Sequence, residues 1–440
     1  MNNRVKPSTL PGFMELLPAE QLLFNDLLDT IRENYEKFGF LPIDTPVLEK
    51  SEVLLAKGGG ETEKQVYRFQ KGDTDISMRF DLTVPLARYV AEHYNDLEFP
   101  FRRYHIGKVY RGERNQRGRF REFYQCDIDI IGNGTLSLYN DAEIPAVIYS
   151  TFKDLNIGDF IIRMNHRKLL NGYFQHLKIS DFPSTLRILD KLDKIGWNKV
   201  ETELEEAGLS IEVTQEIYKF VFLSGSVEEK LKALDSWNIT DSLFQEGLQE
   251  LKVIFSAMEA YGVPKENYTL DLTIARGLDY YTGIVYETFL KDYPDIGSIC
   301  SGGRYENLAQ YYTKQALPGV GISIGLSRLF FQLIDGNILT AKEKSPYEVL
   351  IIPMKGCEEA SIKILQSLRE SGVSSTIYSE SGKMGKKFKY ADALHVPYVI
   401  VIGEDELEKG EYSLRNMKTG EQEMLSLEKI KDCFLKETDV

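Results

Sequence analysis

The feature of the sequence that most constrains the fold is an arginine-rich segment of alternating residues between positions 101 and 132. Two runs, FRRYHIGKVYRGE and RFREFYQCDIDIIG, alternate apolar and polar residues, and the polar stretch NQRG (115–118) lies between them. Such alternation is typical of strands with one buried face, and a short polar break with glycine is typical of a hairpin. The segment therefore predicts a long antiparallel hairpin with arginines projecting from one face.

The charge of this segment is opposite to that of the whole chain. The 440 residues carry a formal net charge of −14, whereas eight basic and two acidic residues lie between Phe101 and Glu122. An acidic chain argues against general nucleic-acid binding, although a local basic patch can still bind a nucleic acid. The reversal points to an anionic ligand, and a solvated basic strand is the alternative that charge alone leaves open.

The composition excludes several classes of protein. Apolar residues make up 42% of the chain and charged residues 27%, as in folded soluble proteins. The four cysteines are far apart and form no CxxC pair, which excludes a disulfide framework and a cysteine-based zinc site. The apolar runs are too short to span a bilayer, and the N-terminus lacks the apolar stretch of a signal peptide. We therefore expect a cytoplasmic protein with no membrane segment and no protein-bound metal.

The periodicity divides the chain into three regions. Residues 1–168 and 262–338 mix strand and helix patterns, with a glycine-rich turn predicted at 301–310 before a strand and a helix over 318–334. Residues 169–261 carry Leu, Lys and Glu at helical spacing and predict a helical insertion. Residues 345–440 alternate strand and helix, which predicts a small α/β domain with a partly parallel sheet.

Two familiar nucleotide-binding patterns do not apply to this chain. It has no GxxxxGK[ST] loop, so a P-loop is not expected. HIGK (105–108) and KMGKK (383–387) look like degraded forms of the two short motifs of class I aminoacyl-tRNA synthetases. The first of those motifs lies at a helix N-terminus, which holds phosphate, whereas HIGK lies within an alternating strand. We therefore set the class I interpretation aside.

Three arginines on separate segments suggest a site for phosphates. Arg111 and Glu113 are two residues apart on a strand and share a face. Arginine binds phosphate in a bidentate manner, and a neighbouring carboxylate can hold Mg²⁺ or a base amino group. Arg276 lies in TIARGLDYYTG, and Arg328 follows Gly325 in GVGISIGLSRL. Alone, each of the last two is more simply a surface residue, but the three together predict a triphosphate cage without a P-loop.

These segments resemble the three motifs of class II aminoacyl-tRNA synthetases, in their order. FGFLPIDTPVLE is similar to motif 1, YRGERNQRGRFREFYQ to motif 2 and GVGISIGLSRLF to motif 3. RGLDYYTGIVYE (276–287) and SGGRYENL (301–308) resemble segments particular to histidyl-tRNA synthetases, and residues 387–422 resemble their anticodon-binding domain. The resemblance covers nearly the whole chain and is weakest over the helical insertion.

The resemblance implies a fold and a reaction. The fold is an α+β catalytic domain with a mainly antiparallel sheet (1–168 and 262–338), the helical insertion (169–261) and a C-terminal α/β anticodon-binding domain (345–440). The reaction joins histidine to ATP, with Mg²⁺ bridging the outer phosphates, to give histidyl-adenylate and pyrophosphate. The terminal ribose of tRNA-His then takes the histidyl group. The family is homodimeric through motif 1, so we expect a dimer about Pro46.

The resemblance also assigns ATP-binding and catalytic roles by position. It assigns Arg111 to the α-phosphate and the substrate carboxylate, Glu113 to the adenine amino group, Phe123 to stacking on adenine, Arg328 to the γ-phosphate, and Arg276 to neutralising the α-phosphate in the transition state. Arg111 and Arg276 are therefore the expected catalytic residues. In related enzymes a metal ion performs the task assigned to Arg276.

Histidine recognition is assigned in the same way. The positions expected to hold the α-amino group are Asp81, Thr83 and Gln125, those expected to meet the imidazole are Asp129 and Tyr281, and Tyr280 and Tyr305 belong to the same pocket with Arg111 and Arg276. An acid and a phenol at the two ring nitrogens can select histidine over side chains without donors. Without the resemblance, the tyrosines would be read as ordinary aromatic core.

The chain departs from the pattern at two histidine-binding positions. Many bacterial members have glutamate where this chain has Asp81 and Asp129, and these segments look more like the eukaryotic and archaeal branch. Aspartate is one methylene shorter, so Asp129 is expected to reach the imidazole differently or through water. The substrate is expected to be unchanged.

Two surfaces are expected to contact tRNA. The motif 2 loop supplies Arg114, Gln116 and Arg117 near the acceptor end. In the tail, Lys386 and Lys387 lie in a basic run with Lys383 and Lys389. For any single lysine of this run, a solvated helix face explains the sequence equally well.

Two non-catalytic alternatives share the histidine pocket. One is the regulatory subunit of ATP phosphoribosyltransferase, a relative that binds histidine without using tRNA and typically lacks the anticodon domain and parts of the arginine set. This chain has the tail and all three arginines. The other alternative is a histidine sensor, which adenylate formation would separate from a synthetase.

Overall fold

The computed structural model describes residues 5–56, 61–113, 118–274, 281–306, 308–341, 345 and 347–435. The chain divides into two compact units, Met1–Glu15 with Asp26–Leu339 and Leu16–Asn25 with Thr340–Val440. In the described parts of the chain, no helix combines the length and the apolar character that crossing a membrane requires.

The strands of the first unit form one large sheet and one small one. They are β1 (Leu41–Pro42), β2 (Leu48–Lys50), β3 (Arg68–Lys71), β4 (Thr74–Met78), β5 (Phe101–Tyr110), β6 (Glu122–Ile131), β7 (Phe160–His166), β8 (Tyr268–Leu270), β9 (Tyr281–Leu290), β10 (Cys300–Tyr305) and β11 (Gly319–Ile324). The large sheet has the order β1-β5-β6-β11-β10-β9-β7-β8, and β2-β4-β3 form the small one. Apart from the parallel pairs β1–β5 and β7–β8, neighbours in the large sheet are antiparallel.

The described helices up to Asp335 include those of the predicted helical insertion. They are α1 (Pro18–Lys37), α2 (Ser51–Leu54), α3 (Glu61–Gln65), α4 (Thr83–Glu92), α5 (Leu138–Leu155), α6 (Arg167–His176), α7 (Phe182–Leu189), α8 (Leu192–Ile195), α9 (Trp197–Glu206), α10 (Ile211–Val221), α11 (Val227–Ser236), α12 (Ser242–Ala260) and α13 (Leu326–Asp335), with 3₁₀ turns at Lys265–Asn267, Pro294–Ile296 and Leu308–Tyr311. The helical character predicted for 169–261 is confirmed. Its status as a separate domain remains a proposal.

The predicted antiparallel pairing of the arginine-rich segment is confirmed, but its arginines do not share one face, because the adjacent Arg102 and Arg103 point to opposite sides of β5. Strands β5 and β6 pair along their whole length, from Phe101 opposite Ile131 to Tyr110 opposite Glu122. HIGK lies inside β5, as expected, and not at a helix N-terminus. Strand β6 lies between β5 and β11 and is therefore not at an edge of the large sheet. Its side chains have neighbours on both adjacent strands.

The glycine-rich turn predicted at 301–310 is wrong over its first half. Residues Cys300–Tyr305 form strand β10, which pairs with β9 and β11. A Cβ on Gly302 would lie 2.0 Å from the carbonyl oxygen of Gly321 and 2.6 Å from the Cα of Ile322. Glycine is therefore needed here because two strands approach closely, and not because the chain turns.

The second unit is a five-stranded sheet with helices. Its strands are β12 (Val349–Pro353), β13 (Ser375–Ile377), β14 (Tyr398–Ile402), β15 (Glu411–Asn416) and β16 (Gln422–Ser426), and its helices after residue 340 are α14 (Glu358–Glu370), α15 (Met384–Ala393), α16 (Glu404–Lys409) and α17 (Leu427–Leu435). Strand β12 is parallel to both β13 and β14, and the β14–β15 and β15–β16 pairs are antiparallel. All five residues of β12 are buried, as expected for a parallel strand covered on both faces. The predicted partly parallel sheet is confirmed.

Candidate active site

A cavity of about 430 Å³ opens on the large sheet of the first unit. Ten of the residues predicted from the sequence line it: Asp81, Thr83, Arg111, Glu113, Phe123, Gln125, Asp129, Tyr281, Tyr305 and Arg328. They come from β6, β9, β10, α4, α13 and the segments beside them, although they are spread over almost 250 positions of the sequence. The predicted residues Arg114, Gln116, Arg117, Arg276 and Tyr280 lie outside the described residues.

The alternation of strand β6 explains why several of these side chains meet. Phe123, Gln125 and Asp129 are separated by even numbers of residues, so they share the face that borders the cavity. The cross-strand partner of Asp129 on β11 is Gly321, and the next partner on β10 is Gly303. The side chains of Asp129 and Tyr281 occupy the space that a Cβ on Gly321 or Gly303 would need.

One end of the cavity is rich in guanidinium groups. The Nε atom of Arg111 donates to the carbonyl oxygen of Phe80 at 2.9 Å, and its guanidinium lies 5.1 Å from the centre of the Phe123 ring. Arg328 donates from Nη2 to the carbonyl oxygen of Ile296 at 3.0 Å. Burial, followed by the charge of Arg119, lowers the pKa of Arg328. An anion bound here would offset the repulsion between these cations.

The carboxylate of Glu113 lies at this same end. Its Oε2 atom is 3.4 Å from Nη1 of Arg119, and its carbonyl oxygen accepts from Nε of Arg121 at 3.0 Å. These two contacts hold the segment between β5 and Glu113 in a defined position. The side chain is half-buried and faces the cavity, where it can accept a hydrogen bond from an amino group.

The other end of the cavity contains carboxylates and a buried cation. Arg103 is completely buried and forms an ion pair with Asp129 through Nη2 and Oδ2. The hydroxyl group of Tyr305 donates to Oδ1 of the same aspartate at 2.9 Å. Burial raises the pKa of Asp129 to about 6, while Arg103 and then Tyr305 act in the opposite direction. Both oxygens of Asp129 are thus fixed by protein groups, which orients the carboxylate toward the cavity.

The side chains expected to hold an amino group lie near the carboxylate end, where the charge of Asp81 acts on both Asp127 and Asp129. Asp81 accepts through Oδ1 from the backbone N–H of Val84 at 3.0 Å and so satisfies one donor in the first turn of α4, which begins at Thr83. Burial raises the pKa of Asp81. Gln125 donates from Nε2 to Oγ of Ser323 at 2.7 Å, and Nη2 of Arg111 lies 3.4 Å from its Oε1.

Sequence reasoning missed several polar residues of this site. Arg119, Asp127 and Ser323 line the cavity, and Arg103 lies beneath it as the partner of Asp129. Asp127 follows the same two-residue period as Gln125 and Asp129, so the alternation of β6 contained the signal that could have found it. The sequence shows Arg103 only as one of the basic residues of the hairpin. Its role depends on the register of β5 and β6, which decides the residue that lies opposite it.

Gly321→Ala is expected to lower the free energy of unfolding by about 1–3 kcal/mol, as overpacking does. The added Cβ would lie 2.3 Å from both the Oδ1 atom of Asp129 and the carbonyl oxygen of Ile128. Gly325→Ala is the matched control, because nothing lies within 4 Å of its added Cβ. Urea unfolding followed by tryptophan fluorescence reports on the first unit, which contains both tryptophans, Trp197 and Trp237. Equal midpoints for the two variants would contradict the geometry.

Comparison with known proteins identifies the family. The model of the family described as histidyl-tRNA synthetase matches residues 12–329, and that of an anticodon-binding domain matches residues 348–437. A histidine–tRNA ligase of Clostridium tetani is 60% identical over 425 residues, which cover 96% of this chain and 97% of the relative. The chain belongs to the histidyl-tRNA synthetase family.

Further relatives agree with this histidyl-tRNA synthetase assignment. A histidine–tRNA ligase of Finegoldia magna is 52% identical and covers 97% of this chain and 99% of its own length. The crystal structure of histidyl-tRNA synthetase from Nostoc sp. PCC 7120 is 41% identical, matches with a TM-score of 0.91 and covers 99% of this chain and all of that one. The predicted class II fold and the predicted histidine–tRNA ligase activity are confirmed, and the non-catalytic alternatives are not favoured.

Proposed function

We propose that the cavity binds histidine and MgATP side by side, forms histidyl-adenylate and presents it to tRNA-His. The observation that carries this proposal is the convergence of ten residues from separate segments on one cavity with a cationic end and a carboxylate end. A polyanion fits the first end, and an ammonium and an imidazole fit the second. Mg²⁺ enters with ATP as part of the substrate.

In the first step, an oxygen of the histidine carboxylate attacks the α-phosphorus, and the bond to the bridging oxygen of pyrophosphate breaks. Arg111 lies at the cationic end, and its Nη2 atom is 3.4 Å from Oε1 of Gln125, so one guanidinium can bind both the carboxylate and the α-phosphate. Glu113 and Phe123 would hold adenine, and Arg328 the γ-phosphate. Arg276 keeps its proposed role at the α-phosphate on the resemblance alone.

In the second step, a hydroxyl of the terminal ribose of tRNA-His attacks the adenylate carbonyl, and AMP leaves. Supplying the wild-type protein with MgATP, labelled histidine and tRNA-His should transfer the label to acid-precipitable tRNA. The same reaction with a tRNA for another amino acid is the control. Formation of adenylate without any transfer to tRNA-His would contradict the proposed second step.

We also propose that the chain forms a homodimer about Pro46. Strand β1 is an edge strand of the large sheet, so it has one unpaired side in the described chain. The side chains of Leu41 and Leu48, which flank Pro46, are 61% and 48% exposed. An unpaired edge with exposed leucines is a surface that a second subunit would cover.

The lysine run of the second unit separates into two kinds of side chain. Lys383, Lys386 and Lys389 are exposed, whereas Lys387 is buried and donates from Nζ to the carbonyl oxygen of Pro353 at 3.0 Å. The buried ammonium group of Lys387 therefore bonds within the protein and is not available to an RNA phosphate in this conformation. We therefore propose that tRNA contact from this run falls to the three exposed lysines.

Changing Lys383, Lys386 and Lys389 together to glutamine should weaken tRNA-His binding by about 10-fold or more at 150 mM salt. It should also reduce the slope of log K against log salt by about 2–3, because each phosphate contact contributes nearly one unit. Filter binding over a salt series measures both, and histidine-dependent pyrophosphate exchange should not change. Lys387→Gln is the control, since it should destabilise the second unit without changing the slope. An unaltered slope in the triple variant would exclude this surface.

A further inference from the structure

We propose that Asp127 is a further substrate-binding residue, whose carboxylate holds the α-ammonium group of histidine together with Asp81 and Gln125. This inference rests on the proposed binding of histidine in the cavity and extends it to a residue that the motifs did not assign.

Asp127 is buried at the cavity wall. It lies between Gln125 and Asp129 on β6, lines the cavity and is 2% exposed. Within the described parts of the chain, its Oδ1 atom has no hydrogen-bond partner. A buried carboxylate oxygen without a donor is costly, so the site is incomplete until a donor enters the cavity.

The carboxylate end of the cavity has a charge balance that favours binding of one more cation. The charges of Asp81 and Asp129 act on Asp127, whereas Arg103, whose charge also acts on Asp127, forms its ion pair with Asp129. Toward Asp127, Arg103 reaches the main-chain carbonyl oxygen, at 3.5 Å from Nη1. The α-ammonium of histidine supplies a positive charge and three donors.

A chain of hydrogen bonds connects Asp127 with the proposed amino end of the substrate. Ser323 accepts from Nε2 of Gln125 at 2.7 Å, and its hydroxyl group can then donate to Asp127, its cross-strand partner on β11. Asp129 is instead fixed by Tyr305 and Arg103. The two aspartates of β6 are therefore suited to different ends of histidine, Asp127 to the ammonium and Asp129 to the ring.

The protonation of Asp127 gives this binding a pH dependence. Burial, with the charges of Asp129 and Asp81, raises the pKa of Asp127 to about 7, against the opposing effects of Arg103 and Ser323. A bound ammonium lowers that pKa, so binding releases a proton and the affinity for histidine should rise between pH 6 and pH 8.

The other titratable groups around Asp127 differ in whether they change charge between pH 6 and pH 8. Burial lowers the pKa of its cross-strand partner His105 to about 3 and raises that of Cys300, so neither changes charge between pH 6 and pH 8. Asp129, with a pKa of about 6, and Asp81, whose pKa is also raised, can contribute to the pH dependence. Comparison of wild type with Asp127→Asn isolates the part due to Asp127.

The test is calorimetric binding of three ligands to wild type and to Asp127→Asn. Histidine and histidinol carry the ammonium, whereas imidazolepropionate lacks it and keeps the ring and the carboxylate. We expect the variant to bind the first two about 10- to 100-fold more weakly, as for loss of a charged hydrogen bond, and imidazolepropionate within about 2-fold of wild type. Asp127→Glu, which keeps the carboxylate, should retain most of the affinity and its rise with pH.

Several outcomes would overturn the inference. Equal weakening of all three ligands would show that Asp127 only supports the pocket, and unchanged histidine binding would show that it does not contact the ammonium. Should the asparagine variant not fold, Asp127→Ser provides the same comparison. Wild-type protein that fails to activate histidine would contradict the proposed function itself. If the wild type is active but Asp127→Asn does not distinguish ligands with the ammonium from the ligand without it, only the inference about Asp127 is contradicted.

Discussion

Replacement of Arg111 by alanine is expected to lower kcat/KM for histidine-dependent pyrophosphate exchange by about 10²- to 10³-fold, the usual loss for one preorganised donor. The guanidinium lies where it can contact the attacking carboxylate and the α-phosphate, and its orientation is fixed by the carbonyl oxygen of Phe80 and the ring of Phe123. The negative charge that grows on the phosphate in the transition state would lose this donor. Steady-state exchange kinetics at saturating MgATP measure the effect.

Two further variants separate this role from a general loss of positive charge. Arg111→Lys keeps the charge but not the planar fork, so it should remain well below wild type. Arg187→Ala removes an exposed arginine from helix α7 and should leave exchange unchanged. Equal exchange by Arg111→Ala and Arg187→Ala would remove Arg111 from the chemistry.

Arg103→Met is expected to lower the free energy of unfolding of the first unit by about 3–5 kcal/mol at pH 8. At this pH, Asp129 is ionised because its pKa is about 6, and methionine would leave its buried carboxylate without the completely buried cation that pairs with it. Histidine binding should weaken as well, since Asp129 would lose its fixed orientation. Urea unfolding followed by tryptophan fluorescence measures the stability.

The adjacent residue provides the matched control. Arg102 points to the opposite face of β5 and pairs with Glu143, and both side chains keep part of their exposure to solvent. Arg102→Met should therefore cost only about 1 kcal/mol and leave histidine binding intact. Comparable destabilisation by the two variants would contradict the account of Arg103 as the buried counter-ion of the pocket.

The sequence allowed the strand elements of the site to be predicted because alternation is a local property. The even spacing of Phe123, Gln125 and Asp129 on β6 follows directly from the pleat of a strand. The same spacing includes Asp127, but the resemblance to the family motifs assigns it no role, so it is not among the predicted site residues. Here the local pattern contained more information than the resemblance.

Other features depend on contacts between distant segments and could not be read from local patterns. Gly302 suggested a turn, whereas its lack of a side chain serves the close approach of β10 and β11. The pairing of Arg103 with Asp129 depends on the register of the hairpin, in which they lie opposite each other. Similarly, Lys387 differs from its neighbours only because α15 packs its side chain against β12.

We propose that this cavity activates histidine and no other amino acid. Amino-acid-dependent exchange between ATP and labelled pyrophosphate, run on the wild-type protein with each of the twenty amino acids and without tRNA, tests this specificity. Exchange with histidine alone is the result we expect. No exchange with any amino acid, by protein that still binds histidine, would contradict the claim.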